Sequence, residues 1–122
     1  MPAIAPPGWP DAVRPPGAPD WERTAADWLL DVCPPEYRGY AVLRRHLVVL
    51  AWFAVRHVDG GRVAIERGLS EARGDLHGLL GPETVDAVVE ALQREEARLL
   101  RLRREVGLVE QAVRGKRFVA RL

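Results

Sequence analysis

Between Val85 and Val113 the chain repeats at alternating steps of three and four: Val85, Val88, Leu92, Glu95, Leu99, Leu102, Val106, Val109 and Val113. Only Glu95 in this series is polar. Such an a/d pattern belongs to a helix packed along one narrow stripe. Glu96, Arg98, Arg103, Glu105 and Glu110 flank the stripe and supply the charged edges that it needs. Pro82 and Glu83 suit a first helical turn, and Gly115 suits the residue just past the end. A helix over about 82–114 would run nearly 50 Å at about 1.5 Å per residue. That length demands a partner helix of similar reach.

The partner is the stretch before it. Leu47, Ala51, Ala54 and Val58 form one half of a second seam, and Ile65, Leu69, Ala72, Leu76 and Leu79 form the other. Two successive steps of four, through Val58, Arg62 and Ile65, join the halves. This stutter locally unwinds a coiled coil. It coincides with Asp59-Gly60-Gly61, so the spacing predicts one helix over about 40–79, bent near 59–61, with a break there as the alternative. Leu79-Leu80-Gly81-Pro82 then reads as the turn of an antiparallel hairpin. Gly60, Ala64, Gly68 and Ala72 make a small-residue ridge at i+4 spacing, open to the close approach of another helix. A GC-rich bacterial genome also over-supplies such residues, and Lys116 is the only lysine among the 18 basic side chains.

The N-terminal segment has a different grammar. Residues 1–19 hold seven prolines and a short repeat, Pro6-Pro7-Gly8-Trp9-Pro10-Asp11 followed by Pro15-Pro16-Gly17-Ala18-Pro19-Asp20. Polyproline II or linked turns are expected, not helix. The arm reads either as a ligand for an aromatic-lined groove or as a strap pinned to its own helices by Trp9 and Val13. A short helix over about 20–32 follows, with Asp20 as its cap and Trp21, Ala25, Trp28, Leu29 and Val32 along one face. Pro34-Pro35 ends it. Val48, Trp52 and Val55 give the next helix a second apolar face, which predicts that the Trp-bearing helix packs there.

The expected fold is therefore all-α. A long antiparallel helical hairpin carries a short Trp-bearing helix at its base and an extended Pro-rich arm over 1–19. Residues 20–122 form a single helical domain ending in a short basic tail, 115–122, whose Phe118 and Leu122 fold back on the base.

Charge sharpens the picture. Residues 38–62 carry five arginines and one acid, and residues 98–122 eight basic residues and two acids. Residues 63–97 carry three arginines and eight acids. Folding at Gly81 sets residue 62 opposite residue 100 and residue 44 near residue 118. Both basic segments then meet at the open end, while the tip is acidic. Arg44, Arg45, Arg56, Arg101, Arg104, Arg117 and Arg121 become a candidate anion site, with Trp52 and Arg56 able to stack as a platform for a base. Solvated arginines paired to Asp27, Asp31 and Glu36 are the alternative.

Several functions are not expected. His46 and His57 lie about 16 Å apart along a helix and cannot share a metal. No Glu-x-x-His pair marks a di-iron bundle, and no Gly-Lys-Ser/Thr follows the glycines. Cys33, the one cysteine, precludes an internal disulfide and reads as a buried structural thiol. Glu95 is expected to face Arg62 or Arg67 as a register device. The longest apolar run, Leu47–Val55, is too short for a membrane span, and the proline-rich start is unlike a signal peptide. We expect no cofactor, no metal, no membrane partner and no enzymatic activity.

What remains is a cytoplasmic interaction or adapter protein that self-associates or binds a partner helix. Its candidate interface is Gly60, Ala64, Gly68, Ala72, Leu99, Leu102 and Val106. An RNA- or ribosome-associated factor using the arginine-rich base is the alternative.

Overall fold

The computed structural model describes residues 4–115. Helix α1 spans Trp21–Val32, a 3-10 turn spans Pro35–Gly39, and α2 is the short Ala41–Arg45. Two long helices complete the chain, α3 over Leu47–Leu76 and α4 over Pro82–Val113, packed as a helical hairpin. No strand occurs among the described residues. The chain divides into two compact units. One takes the described residues up to His57 and those from Arg104 onward, and the other is Val58–Arg103.

The first unit holds most of the core. Leu29, Leu43, Leu50, Ala51, Ala54, Val106 and Val109 are all buried in it. Each such leucine removed from water contributes about 2 kcal/mol. The Pro-rich arm belongs to this unit, and its sequence repeat is a repeated turn. The Trp9 amide donates to the Pro6 carbonyl at 3.1 Å, and the Ala18 amide to the Pro15 carbonyl at 3.0 Å. Gly8 and Gly17 occupy the third position of each turn with φ of 84° and 85°. Proline at the second position and a left-handed glycine at the third define a type II turn. Trp9 Nε1 donates to the Val13 carbonyl at 2.8 Å, and Pro10 and Val13 are buried. Thr24 Oγ1 accepts the Arg14 amide at 3.0 Å and donates to the Trp21 carbonyl at 2.8 Å, which ties the arm to α1.

Two local expectations are corrected here. Asp20 stands at the start of α1 but offers no side-chain cap; its φ is 62°, and its carbonyl accepts the Thr24 amide. A left-handed backbone turns the carboxylate away from the first-turn amides that a cap must reach. The helix expected over 40–79 is interrupted, and at His46, not at the glycines. His46 has extended backbone, φ −128° and ψ 98°. Its amide donates to Val42 and closes α2, while its carbonyl accepts the amides of Val49 and Leu50 and opens α3. One residue thus ends a helix and starts the next.

Across Asp59-Gly60-Gly61, α3 is continuous. Packing explains why two glycines do not break it. A Cβ built on Gly61 would lie 3.6 Å from Leu99 Cδ1, and one on Gly68 would lie 3.3 Å from Leu92 Cδ2. Gly68 lets α4 approach closely at Leu92, Gly61 faces Leu99 at ordinary contact distance, and the burial of Val58 and Leu99 outweighs the weak helix propensity of the glycines. These contacts also fix an antiparallel register close to the expected pairing of residues 62 and 100. Polar clamps reinforce it: Arg103 Nε donates to Asp59 Oδ1 and Arg73 Nη1 to Asp86 Oδ1, each at 2.8 Å. Helix α4 closes as expected, with Gly115 at φ 87° and its amide on the Ala112 carbonyl.

The second apolar face of α3 is only partly covered. Val55 is buried, whereas Val48 and Trp52 are 45% and 41% exposed. At about 100° per residue, Val48 and Trp52 lie roughly 90° and 130° from the centre of the face formed by Leu50, Ala51, Ala54, Val55 and Val58. The core of the first unit reaches only that face. The expectation of a helix packed on two sides fails at these two residues.

Candidate functional site

The small-residue ridge does not form one surface. Gly60 and Ala64 are exposed with open space at Gly60, whereas Gly68 meets Leu92 and Ala72 is buried. Each i+4 step overshoots a turn by about 40°, so the ridge winds about 120° from Gly60 to Ala72. Its last members therefore enter the hairpin. Leu99 and Val106 are buried, and Leu102 is half-buried. The a/d stripe of α4 is spent on the chain's own core and leaves no continuous seam for a partner.

Glu95 behaves differently from expectation. Arg98 Nε donates to its two carboxylate oxygens at 3.2 and 3.0 Å, so Glu95 pairs along its own helix. Arg62 approaches Asp59 and Arg67 approaches Glu71 instead. An i+3 neighbour lies closer than a side chain across the hairpin. The Arg98 hydrogen bond holds the Glu95 carboxyl below its usual range.

The arginines expected at the base divide. Arg44, Arg45, Arg56 and Arg104 lie in the first unit and Arg101 in the second, all exposed. None of these five makes an ion pair among the described residues. Arg117 and Arg121 lie outside the described residues, as do Phe118, Leu122 and the expected meeting of residues 44 and 118. The described part of the first unit contains eight arginines and eight carboxylates, so it carries no net charge. Asp31 does take an arginine, but it is Arg38 at 2.7 Å.

Charge is unevenly spread within that described part. From Tyr37 to Val58 the sequence contains no carboxylate at all. This acid-free stretch covers the end of the 3-10 turn, α2 and the opening turns of α3. On it stand exposed Tyr40, Val42, Val48 and Trp52. The Arg56 guanidinium lies over the Trp52 ring, 3.4 Å from its centroid, and donates to the Trp52 carbonyl. That i+4 stack was legible in the sequence. The array around it was not: Trp52 and Phe53 have centroids 5.6 Å apart, Phe53 meets Tyr37 edge-on at 5.7 Å, and Tyr37 leads to Tyr40 and His57. The missing signal was the absence of acids, which segment totals hide. Burial, with Cys33 and Tyr40 nearby, raises the Tyr37 pKa, so its phenol stays a neutral donor.

Beside this face a cavity of about 270 Å³ opens between Trp21, Arg45, His46, Leu47, Val48 and Val113, with Glu22 its one carboxylate. Cys33 is buried, and burial raises its pKa to about 11, far from the range of a reactive thiolate. No cluster of three or more His, Cys, Asp or Glu suited to a metal occurs among the described residues. No helix among them is long and apolar enough to cross a membrane. No protein-family model matches the chain, and neither a curated protein nor a solved structure matches it.

Proposed function

We propose that this chain is a non-enzymatic, cytoplasmic helical interaction module, and that it works through the acid-free face of residues 37–58. The observation that carries the reading is the coincidence there of exposed Tyr40 and Trp52, exposed Val42 and Val48, and the ion-pair-free Arg44, Arg45 and Arg56. Trp, Tyr and Arg dominate the residues that hold protein interfaces together, because each offers a large contact area with a polar handle. The net charge of the whole chain, only +1, argues against a phosphate backbone as the main ligand, since such binding scales with uncompensated cations.

A second reading, binding of single-stranded nucleic acid, draws on the Trp52–Arg56 stack. One experiment separates them. The tagged full chain is used to capture partners from native lysate with and without nuclease, alongside Trp52→Ala and Tyr40→Ala. A stoichiometric protein that survives nuclease and is lost from both variants is expected. Its retention by both variants would refute the face, and loss of all captured protein on nuclease treatment would favour nucleic acid.

A further inference from the structure

The second unit carries the complement of that face. In residues 63–97 every arginine is already in an ion pair: Arg67 with Glu71, Arg73 with Asp86 and Arg94 with Glu90. Asp75 and Glu83, one on each side of the hairpin turn, are exposed and make no ion pair among the described residues. Between them the turn is tightly closed, with the amides of Leu79 and Leu80 both on the Leu76 carbonyl. This closure leaves Leu79 75% exposed and Leu80 45% exposed. Two leucines held outward by a fixed turn, flanked by two uncompensated carboxylates, form an apolar plug with an acidic rim.

We propose that the occupant of the acid-free face is the hairpin tip of a second copy of this chain. Leu79 of that copy enters the cavity beside Trp21, Leu47, Val48 and Val113, and its Asp75 and Glu83 meet Arg44 and Arg45. The cavity exceeds the roughly 30 Å³ of a water molecule severalfold, which gives room for one aliphatic side chain. Glu22 opposes the incoming acids, and the two arginines outweigh it. The argument is charge complementarity between surfaces whose charges are otherwise unmatched. The contact is heterologous, face to tip, so it closes when two copies exchange tips and grows into chains when they do not.

This inference rests on the reading of the face as a protein-binding surface, and the test keeps the two apart. Light scattering on the purified full chain, over a range of concentrations and at low and high salt, should show association that salt weakens. Arg44→Glu with Arg45→Glu should weaken it by about tenfold or more, equivalent to about 1.4 kcal/mol. Asp75→Arg with Glu83→Arg should do the same. All four changes in one chain should restore association, as should mixing the two charge-reversed proteins. Leu79→Ser should weaken association while leaving helicity unchanged, because the side chain touches little within its own copy. A monomer under all conditions overturns the second-copy inference. So does association indifferent to both charge reversals, or the absence of rescue. If the chain is monomeric but the captured protein is still lost from Trp52→Ala, the face stands and its occupant is another protein. If the chain instead binds a fluorescent oligouridine through Arg44 and Arg45, both readings fall.

Discussion

Replacing Gly61 by alanine should stabilise the hairpin. Gly61 lies inside α3 and is not among the glycines with positive φ. Alanine is favoured over glycine in a helix interior by about 0.8–1.0 kcal/mol. The new methyl would sit 3.6 Å from Leu99 Cδ1 and 3.9 Å from Cδ2, ordinary van der Waals contact, and it would fill space on a half-buried position. A further few tenths of a kcal/mol are expected from that burial. The total of about 1 kcal/mol corresponds to a rise of about 4 °C in Tm for a chain of this size. Thermal unfolding followed by far-UV circular dichroism measures it. Gly68→Ala is the internal comparison, because its methyl would fall 3.3 Å from Leu92 Cδ2 and Leu92 must shift. It should gain less than Gly61→Ala, or lose. A Tm lowered by Gly61→Ala would refute the reasoning, for it would mean that the helix does not run through Asp59-Gly60-Gly61 as described.

Leu99 is 7% exposed, so Leu99→Ala should cost about 3 kcal/mol by chemical denaturation, and a cost below about 1 would deny its place in the seam. Asp59→Asn removes the charge that Arg103 clamps; both side chains are about one-third or more exposed, so the loss should be only about 0.5 kcal/mol and should vanish in high salt. An undiminished loss at high salt would show that the hydrogen bond, not the charge, matters. For Cys33 the folded pKa, about 11, lies above the ordinary value of 9.0. Its contribution to stability is therefore full below pH 9.0 and is lost as pH rises towards 11. Native protein at pH 8 should resist a thiol-alkylating reagent that labels the unfolded chain at once, and rapid native labelling would contradict the burial.

The hairpin was legible because an a/d repeat sustained from Val85 to Val113 has few other uses, and because Leu79-Leu80-Gly81-Pro82 interrupts both periodicities together. The break at His46 was hidden. Arg44-Arg45-His46-Leu47 contains no glycine, proline or capping side chain, and the extended backbone of His46 is a consequence of how α2 and α3 each satisfy their own amides. Gly60-Gly61 did not break the helix that the spacing carries through them, since glycine signals a breaker only locally and the buried Val58 and Leu99 hold the seam there. The clamp between Asp59 and Arg103 joins residues 44 positions apart, so it exists only once the register is fixed. Of the candidate site, the Trp52–Arg56 stack followed from i+4 spacing. Its extension through Phe53 and Tyr37 to Tyr40 required the 3-10 turn to place the tyrosines against α3.

The arm of linked turns has a consequence for how the chain resists degradation. Between residue 4 and α1 the only basic residue is Arg14, and Pro15 follows it. Trypsin-like proteases do not cleave before proline, and here the Arg14 amide is also engaged by Thr24. The next basic residue, Arg23, lies within the first turn of α1. A protease of that specificity therefore finds no cleavable bond in the arm, and it can release the arm only by first unwinding the helix to which the arm is tied.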